Sequence, residues 1–318
     1  MYVLEFEKPI IALRSKIAEL QAMHEAGEVD VTDEIKKLEQ KAAKLETNTY
    51  KHLGDWEKTL LARHPLRPYT LDFIEHCTTG FEELHGDRHF RDDPSIVGGI
   101  CKIDKHPFMV IGHQKGRNTA ENVLRNFGMP HPEGYRKALR LMKLAEKFGM
   151  PILTLIDTPG AYPGLGAEER GQSEAIAVNL REMAALKVPV IAVVTGEGGS
   201  GGALALGVAN RVLMFEHSIY SVISPEGCAS ILYGDGSRAQ EAAQNLKYVA
   251  RELSKLGIID GIIKEPIGGA HAKPEEALDN LKAEVLKNLK DLKKLNPEAL
   301  VEDRWEKFRQ IGVFAESR

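Results

Sequence analysis

Five of the seven residues from Gly196 to Gly202 are glycine, placed between the β-branched run Val188 to Val194 and the apolar stretch Ala203 to Leu206. A buried strand that ends in glycine and turns at once into a helix has a backbone that another group can approach closely. The first amides of a helix have no partner inside it and point outward as donors. A strand, a glycine corner and a helix start therefore outline an anion site or oxyanion hole. The same residues also suit a tight turn with close helix packing and no ligand.

The rest of the chain supplies the setting for that corner. Short runs at Ile96 to Ile103, Phe108 to Gly112, Ile152 to Ile156, Val188 to Val194, Val212 to Phe215, Ile219 to Ile223 and Ile258 to Ile263 read as strands. Helical segments at Glu133 to Phe148, Glu168 to Leu186 and Arg238 to Leu256 alternate with them. Strands interleaved with helices predict an α/β fold with largely parallel pairing. Upstream, Ile10, Leu13, Ile17 and Leu20 form one helical seam, and Ile35, Leu38, Ala42 and Leu45 form another. This is an α-hairpin broken near Gly27, with Thr32 as the expected N-cap of its second arm. Two prolines in His64-Pro-Leu-Arg-Pro-Tyr-Thr70 end it. At the far end, Leu278, Leu281, Val285, Leu289 and Leu292 share a face of a helix over Pro274 to Leu295 whose other face is rich in lysine. That basic face is expected to be solvated.

Composition narrows the functional classes. The formal net charge is −4, from 42 Lys and Arg against 46 Asp and Glu, so no global basic field draws the chain to nucleic acid or anionic lipid. Cys77, Cys101 and Cys228 are far apart and lack zinc-ligand spacing, so reduced thiols and no metal are expected. No apolar run approaches the ~18 to 20 residues of a membrane span, and the expected location is the cytoplasm.

Other segments compete for the chemistry. Gly196, Gly198 and Gly201 match a dinucleotide fingerprint, but the space before Arg211 is short for a crossover helix. Gly198-x-Ser200-x-Gly202 matches a nucleophile elbow, with Asp260 and His271 downstream in hydrolase order. Asp157-Thr-Pro-Gly160 opens a second Pro- and Gly-rich loop after a strand, and no phosphate-binding loop accompanies it. Lys115 and Arg117 follow a strand, where they could meet a carboxylate or phosphate. Ser224-Pro-Glu226 reads as a helix N-cap.

In order along the chain, Arg63-His-Pro-x-Arg67-Pro-Tyr, Ile96-Val-Gly-Gly99, Gly112-His-Gln-Lys-Gly-Arg117, Asn126-Phe-Gly-Met-Pro130, Asp157 to Gly164, Gly196 to Gly202 and Ser221 to Cys228 resemble the carboxyltransferase alpha subunit of multi-subunit acetyl-CoA carboxylase. The likeness runs nearly end to end. Gly234 to Arg238 departs from the pattern expected after Tyr233. The resemblance implies a crotonase-like (ClpP/crotonase) α/β spiral of ββα units. It divides the chain into an N-terminal helical hairpin and linker (1–65), a core (66–270) and a C-terminal helical extension (271–318).

The same resemblance implies transfer of a carboxyl group from carboxybiotin to acetyl-CoA, with malonyl-CoA as product. Biotin would be carried by biotin carboxyl carrier protein and charged by biotin carboxylase. A beta subunit with a zinc ribbon would complete an alpha-2 beta-2 tetramer. By this likeness Gly198 and Gly199 supply the backbone oxyanion hole for carboxybiotin. Gly160, Ala161, Tyr162, Gly201, Gly202, Lys115 and Arg117 belong to the loops around the substrate and biotin. Two readings from other classes are a serine hydrolase using Ser200 and a silent scaffold that only recruits the beta subunit.

Overall fold

The computed structural model describes residues 2–26 and 31–312. Its strands are β1 (Thr79–Glu83), β2 (Ile96–Ile103), β3 (His106–His113), β4 (Ile152–Thr158), β5 (Val190–Gly199), β6 (Arg211–Phe215), β7 (Ile219–Ser221) and β8 (Gly261–Ile263). They form one sheet in the order β1-β2-β3-β4-β5-β6-β8, with β7 paired to β5. Pairing is antiparallel for β1–β2 and β2–β3 and parallel from β3 to β8.

The central strands are apolar on both faces because both are covered. Met109, Ile111, Ile152, Ile156, Val190, Ala192 and Val194 belong to one core, and Val110, Leu153, Leu155, Ile191 and Val193 to the other. Successive side chains of a strand point to opposite faces, so alternate residues feed alternate cores.

In chain order, α1 (Lys8–Glu25) and α2 (Thr32–Lys51) form the hairpin, joined through Ile17, Ile35 and Ala42. The expected break at Gly27 lies outside the described residues. Thr32 is the first helical residue, with Val31 at the cap position, so the helix begins one residue earlier than expected. Next come α3 (Asp55–Ala62) and α4 (Thr70–Cys77), separated by the Pro-rich segment. α5 (Thr119–Leu124) and α6 (Pro132–Lys147) follow β3.

The helix expected over Glu168 to Leu186 is two helices, α7 (Leu165–Glu169) and α8 (Gln172–Ala185), because Gly171 between them has φ +79°. α9 (Ser200–Leu204) ends β5, and α10 (Pro225–Tyr233) follows β7. The stretch from Arg238 also divides, into α11 (Ala239–Leu246) and α12 (Ala250–Lys255), at Lys247 with φ +54°. α13 (Pro274–Leu292) and α14 (Pro297–Arg309) complete the described chain.

Helices α6 and α8 cover the first core through Leu141, Met142 and Met183, while α4 and α13 cover the second through Phe73, Leu281, Val285 and Leu289. The leucine face of α13 is therefore a wall of the sheet core. Its basic face stays at the surface, where Lys282 pairs with Asp104 at 2.6 Å. The departure at Gly234 to Arg238 has a local explanation. Gly234 ends α10 in the left-handed conformation, Asp235 caps the next turn through the Ser237 amide, and Arg238 lies 4.1 Å over the Tyr233 ring.

Cys77 and Cys101 are buried, and burial pushes their thiols up to about 12 and about 11. Among the described residues, no helix is long and apolar enough to cross a membrane.

Candidate active site

Strands β4 and β5 run parallel and in register up to Ile156↔Val194 and resume at Thr158↔Gly198. One residue of β4 thus stands opposite three of β5, and this bulge frees buried backbone groups that need partners. Side chains supply them. Asp157 Oδ1 accepts the Glu197 amide at 2.9 Å, and the Thr195 carbonyl accepts two bonds from the Arg67 guanidinium, at 3.1 and 2.8 Å. Arg67 is itself buried and paired with Glu265 at 2.8 Å. Burial would raise the Glu265 carboxyl, but Arg67 and His217 outweigh it and hold its pKa near 2.

Around the bulge the charges continue as a chain. Lys115 Nζ lies 2.6 Å from Asp157 and 3.5 Å from Glu197. Burial disfavours its charge, yet the two carboxylates prevail and raise its pKa above the ordinary lysine value. Arg63 donates to Glu197 and to Glu226, each at 2.6 Å. Arg117 pairs with Asp72, donates to the carbonyls of Pro65 and Arg67, and lies 4.0 Å over the Tyr69 ring. Both sequence-predicted cations thus meet carboxylates of this chain.

The two glycine-bearing loops touch backbone to backbone. A Cβ on Gly199 would lie 2.2 Å from the Pro159 carbonyl oxygen, and one on Gly202 would lie 2.6 Å from the Ala161 nitrogen. No larger residue permits either approach. Gly160 and Ala161 therefore lie directly on the corner, and Tyr162 follows them in the same loop. Thr158 Oγ1 and the Gly160 backbone bond to each other, Tyr162 stacks on His131 at 4.2 Å, and Gln172 holds the Tyr162 carbonyl.

The destination of each amide at the corner follows from the pairing. Pro159 has no N–H, so the Thr158↔Gly198 pairing is closed by the Gly199 amide. Tyr220 gives its amide to Tyr248, so the Gly198↔Tyr220 pairing on the other side is closed by the Gly198 amide. In the same register Ser200 faces the Ser221 carbonyl. Gly198 and Gly199 thus end β5, paired with β4 on one side and β7 on the other. The first turn of α9 has Gly199 as N-cap, with no side chain to cap it. Among the described residues the amides of Gly201 and Gly202 have no acceptor in the chain.

Ser200, at the strand-to-helix corner, has φ +51°, an uncommon conformation for a non-glycine residue. A cavity of about 140 Å³ sits against this corner, lined by Gly198, Gly199, Ser200, Pro159, Arg63 and Glu197. The hydrolase arrangement does not form. His271 bonds to Glu7 at 3.1 Å and stacks on His64, while Asp260 caps the Val212 amide and pairs with Lys307. Ser224 caps α10 as expected, through the Gly227 amide at 3.0 Å.

Sequence reading passed over Arg63, Glu197 and Glu226 as a set. Only one signal pointed to them, the lone carboxylate Glu197 inside a run of glycines at the end of an apolar strand.

Residues 3–312 match the family described as acetyl co-enzyme A carboxylase carboxyltransferase-like. The chain is 58% identical over 316 residues to the acetyl-coenzyme A carboxylase carboxyl transferase subunit alpha of Geobacter metallireducens, covering 99% of each. It is 59% identical over 311 residues to that of Fusobacterium nucleatum, covering 98% of this chain and 99% of the other. Among solved structures it resembles the beta subunit of P. aeruginosa geranyl-CoA carboxylase, with TM-score 0.55 and 19% identity over 74% of this chain and 43% of that one. It also resembles a chain of a Pseudomonas malonate decarboxylase hetero-tetramer, with TM-score 0.55 and 18% identity over 67% and 85% of the two chains. These likenesses give the fold as crotonase-type, and none of the relatives supports a serine hydrolase.

Proposed function

Because the chain belongs to the family of acetyl-CoA carboxylase carboxyltransferase alpha subunits, we propose that its share of the active site is the corner where β5 becomes α9, with the Gly201 and Gly202 amides as donors. The protein is a biotin-dependent carboxyltransferase that moves a carboxyl group from carboxybiotin to acetyl-CoA, giving malonyl-CoA, within a complex that includes a beta subunit. The observation that carries the proposed site is the pair of amides without acceptors in the first turn of α9, next along the chain from Gly198 to Ser200, which line a cavity.

When bound, carboxybiotin supplies the carboxyl group and a carbonyl oxygen that gains negative charge as that group leaves. The chain's own part is to meet that charge with fixed dipoles. Amides at a helix start are aligned before the reaction and need no reorganisation during it. Packing of Gly199 and Gly202 under the Pro159 to Tyr162 loop holds the donors in place. Lys115, Arg117 and Arg63, each neutralised by carboxylates of the chain, act by fixing the loops. Loss of one such donor costs on the order of 3 kcal/mol in the barrier, about a hundredfold in rate.

The finer parts of the proposal rest on the family. Biotin arrives covalently attached to biotin carboxyl carrier protein and is charged by biotin carboxylase. The beta subunit brings a zinc ribbon and most of the acetyl-CoA site in an alpha-2 beta-2 tetramer in the cytoplasm, and this chain holds no metal. Residues 66–270 carry the chemistry, with 1–65 and 271–318 as flanking helical regions. The test is co-expression with the beta subunit, followed by mass measurement and a biotin-dependent malonyl-CoA assay on Gly201→Ala and Gly201→Pro.

A further inference from the structure

A second cleft, of about 440 Å³, opens between α6, α8 and the loop before β2, and its lining includes Asp87, Arg88, His89, Arg136, Arg140 and Asn179. Its three guanidiniums are positioned but only one is neutralised. Arg88 donates to the His85 carbonyl at 2.9 Å, and Arg140 donates to the carbonyls of Gly86 and His85 at 3.0 and 3.1 Å. Carbonyls fix a guanidinium's direction without cancelling its charge. Burial, and then the neighbouring Arg88, lower the pKa of Arg140 against the weaker opposing pull of Asp92 and Asp87.

Of the carboxylates lining the cleft, Glu174 is engaged and Asp87 is engaged through one oxygen. Asp87 Oδ1 accepts the amides of His89, Phe90 and Arg91, and Glu174 pairs with Arg136 at 3.0 Å. Arg88 is held at φ +68°, a costly conformation for a long side chain.

Asp87 is 3% exposed and Asn179 fully buried, and Asp87 Oδ2 and Asn179 Oδ1 have no partner. Unmade bonds at buried oxygens are expensive, so a ligand whose donors reach in past the cleft's lining gains by satisfying them as well as by bringing negative charge. Guanidiniums select phosphate or carboxylate through paired N–H groups, and hydroxyl or amino donors beside the anion complete the match.

We propose that this cleft binds a phosphate ester that also bears hydroxyl or amino donors, the chemistry of a nucleotide. The reaction itself offers one source, the nucleotide end of the coenzyme in acetyl-CoA, and free nucleotides are the other. Asn179 also donates to the carbonyls of Tyr135 and Ala205, so the cleft shares a residue with the packing beneath α9.

The test uses the assembled alpha–beta complex, titrated calorimetrically with adenosine 3′,5′-bisphosphate and separately with ADP. The wild type should bind at least one of them, and Arg88→Gln combined with Arg140→Gln should weaken binding at least tenfold. Arg88→Gln alone, at an exposed side chain, should weaken it severalfold, which keeps the test decisive should the double variant fold poorly. Preference for the bisphosphate, with a raised KM for acetyl-CoA at constant kcat, identifies the coenzyme as the source. Equal binding of ADP with an unchanged KM identifies a free nucleotide. Absence of nucleotide binding, binding indifferent to Arg88→Gln, or loss of the beta subunit from the double variant each overturns the proposal, the last by showing that partner acids fill the cleft.

Discussion

Lys115 Nζ and the Glu197 amide converge on one oxygen, Asp157 Oδ1, at 2.6 and 2.9 Å. Three segments that end separate strands are thereby fixed at one point, and the bulge of β5 depends on it. Replacing Lys115 with Met leaves Asp157 facing buried surroundings without its cation. Removing one partner of a buried ion pair costs about 3 to 5 kcal/mol. Urea denaturation of the isolated chain should show a loss of that size, and Lys115→Arg should recover part of it.

Gly201 separates an effect on amides from an effect on packing. A Cβ there meets only Ile176, at 3.6 Å, so Gly201→Ala should assemble and turn over nearly as the wild type does. Gly201→Pro removes one N–H from the first turn of α9, and because proline also restricts Ser200, which sits at φ +51°, the mass of the complex is the control for an intact corner. Malonyl-CoA formation should fall about a hundredfold while the complex keeps its mass. Equal activity of the two variants would refute these donors.

Ser200 holds the corner through its backbone. Ser200→Ala should therefore retain substantial carboxyl transfer, and a fluorophosphonate should not label the wild type. Labelling that disappears in Ser200→Ala would restore the hydrolase reading.

Acid should loosen the junction of the hairpin with the core. Burial raises the Glu7 carboxyl, but bonds from His271, Tyr50 and the Leu4 amide outweigh it and bring it down to about 2. Its contribution is thus complete above the unfolded value near 4.5 and is lost as pH falls toward 2. Burial, together with His271 nearby, lowers His64 to about 4. Between pH 6.5 and 4 the unfolded chain therefore takes up a proton that the folded chain refuses, which destabilises in the same direction. Thermal melts should drop steadily below pH 6.5, and Glu7→Gln should flatten the part below pH 4.5.

The sheet was legible wherever both faces of a strand are covered, because such strands read as continuous apolar runs. β1 escaped notice since Thr79-Gly-Phe-Glu-Glu83 is an edge strand with four of its five residues exposed, and it carries no periodic signal. The extension of β5 through Gly199 was hidden for the opposite reason. Glycine has little strand preference, and only pairing with both β4 and β7 draws it into the sheet. That pairing is the reason the proposed donors are Gly201 and Gly202, and no composition rule could foresee it. The breaks at Gly171 and Lys247 are backbone turns; glycine hinted at the first, and lysine gave no hint of the second. Arg63 meets Glu197 and Glu226 across 134 and 163 residues, a proximity that only the folded topology creates.

Arg67 and Glu265 are separated by 198 positions, yet the β5 bulge beside the glycine corner leans on their contact. At a ribosomal rate of roughly 5 to 20 residues per second, the arginine waits on the order of 10 to 40 s for its carboxylate to emerge. A nascent chain therefore carries a poorly supported corner until nearly its whole length has been made. Prematurely terminated copies are born without a working half-site to offer the other subunit.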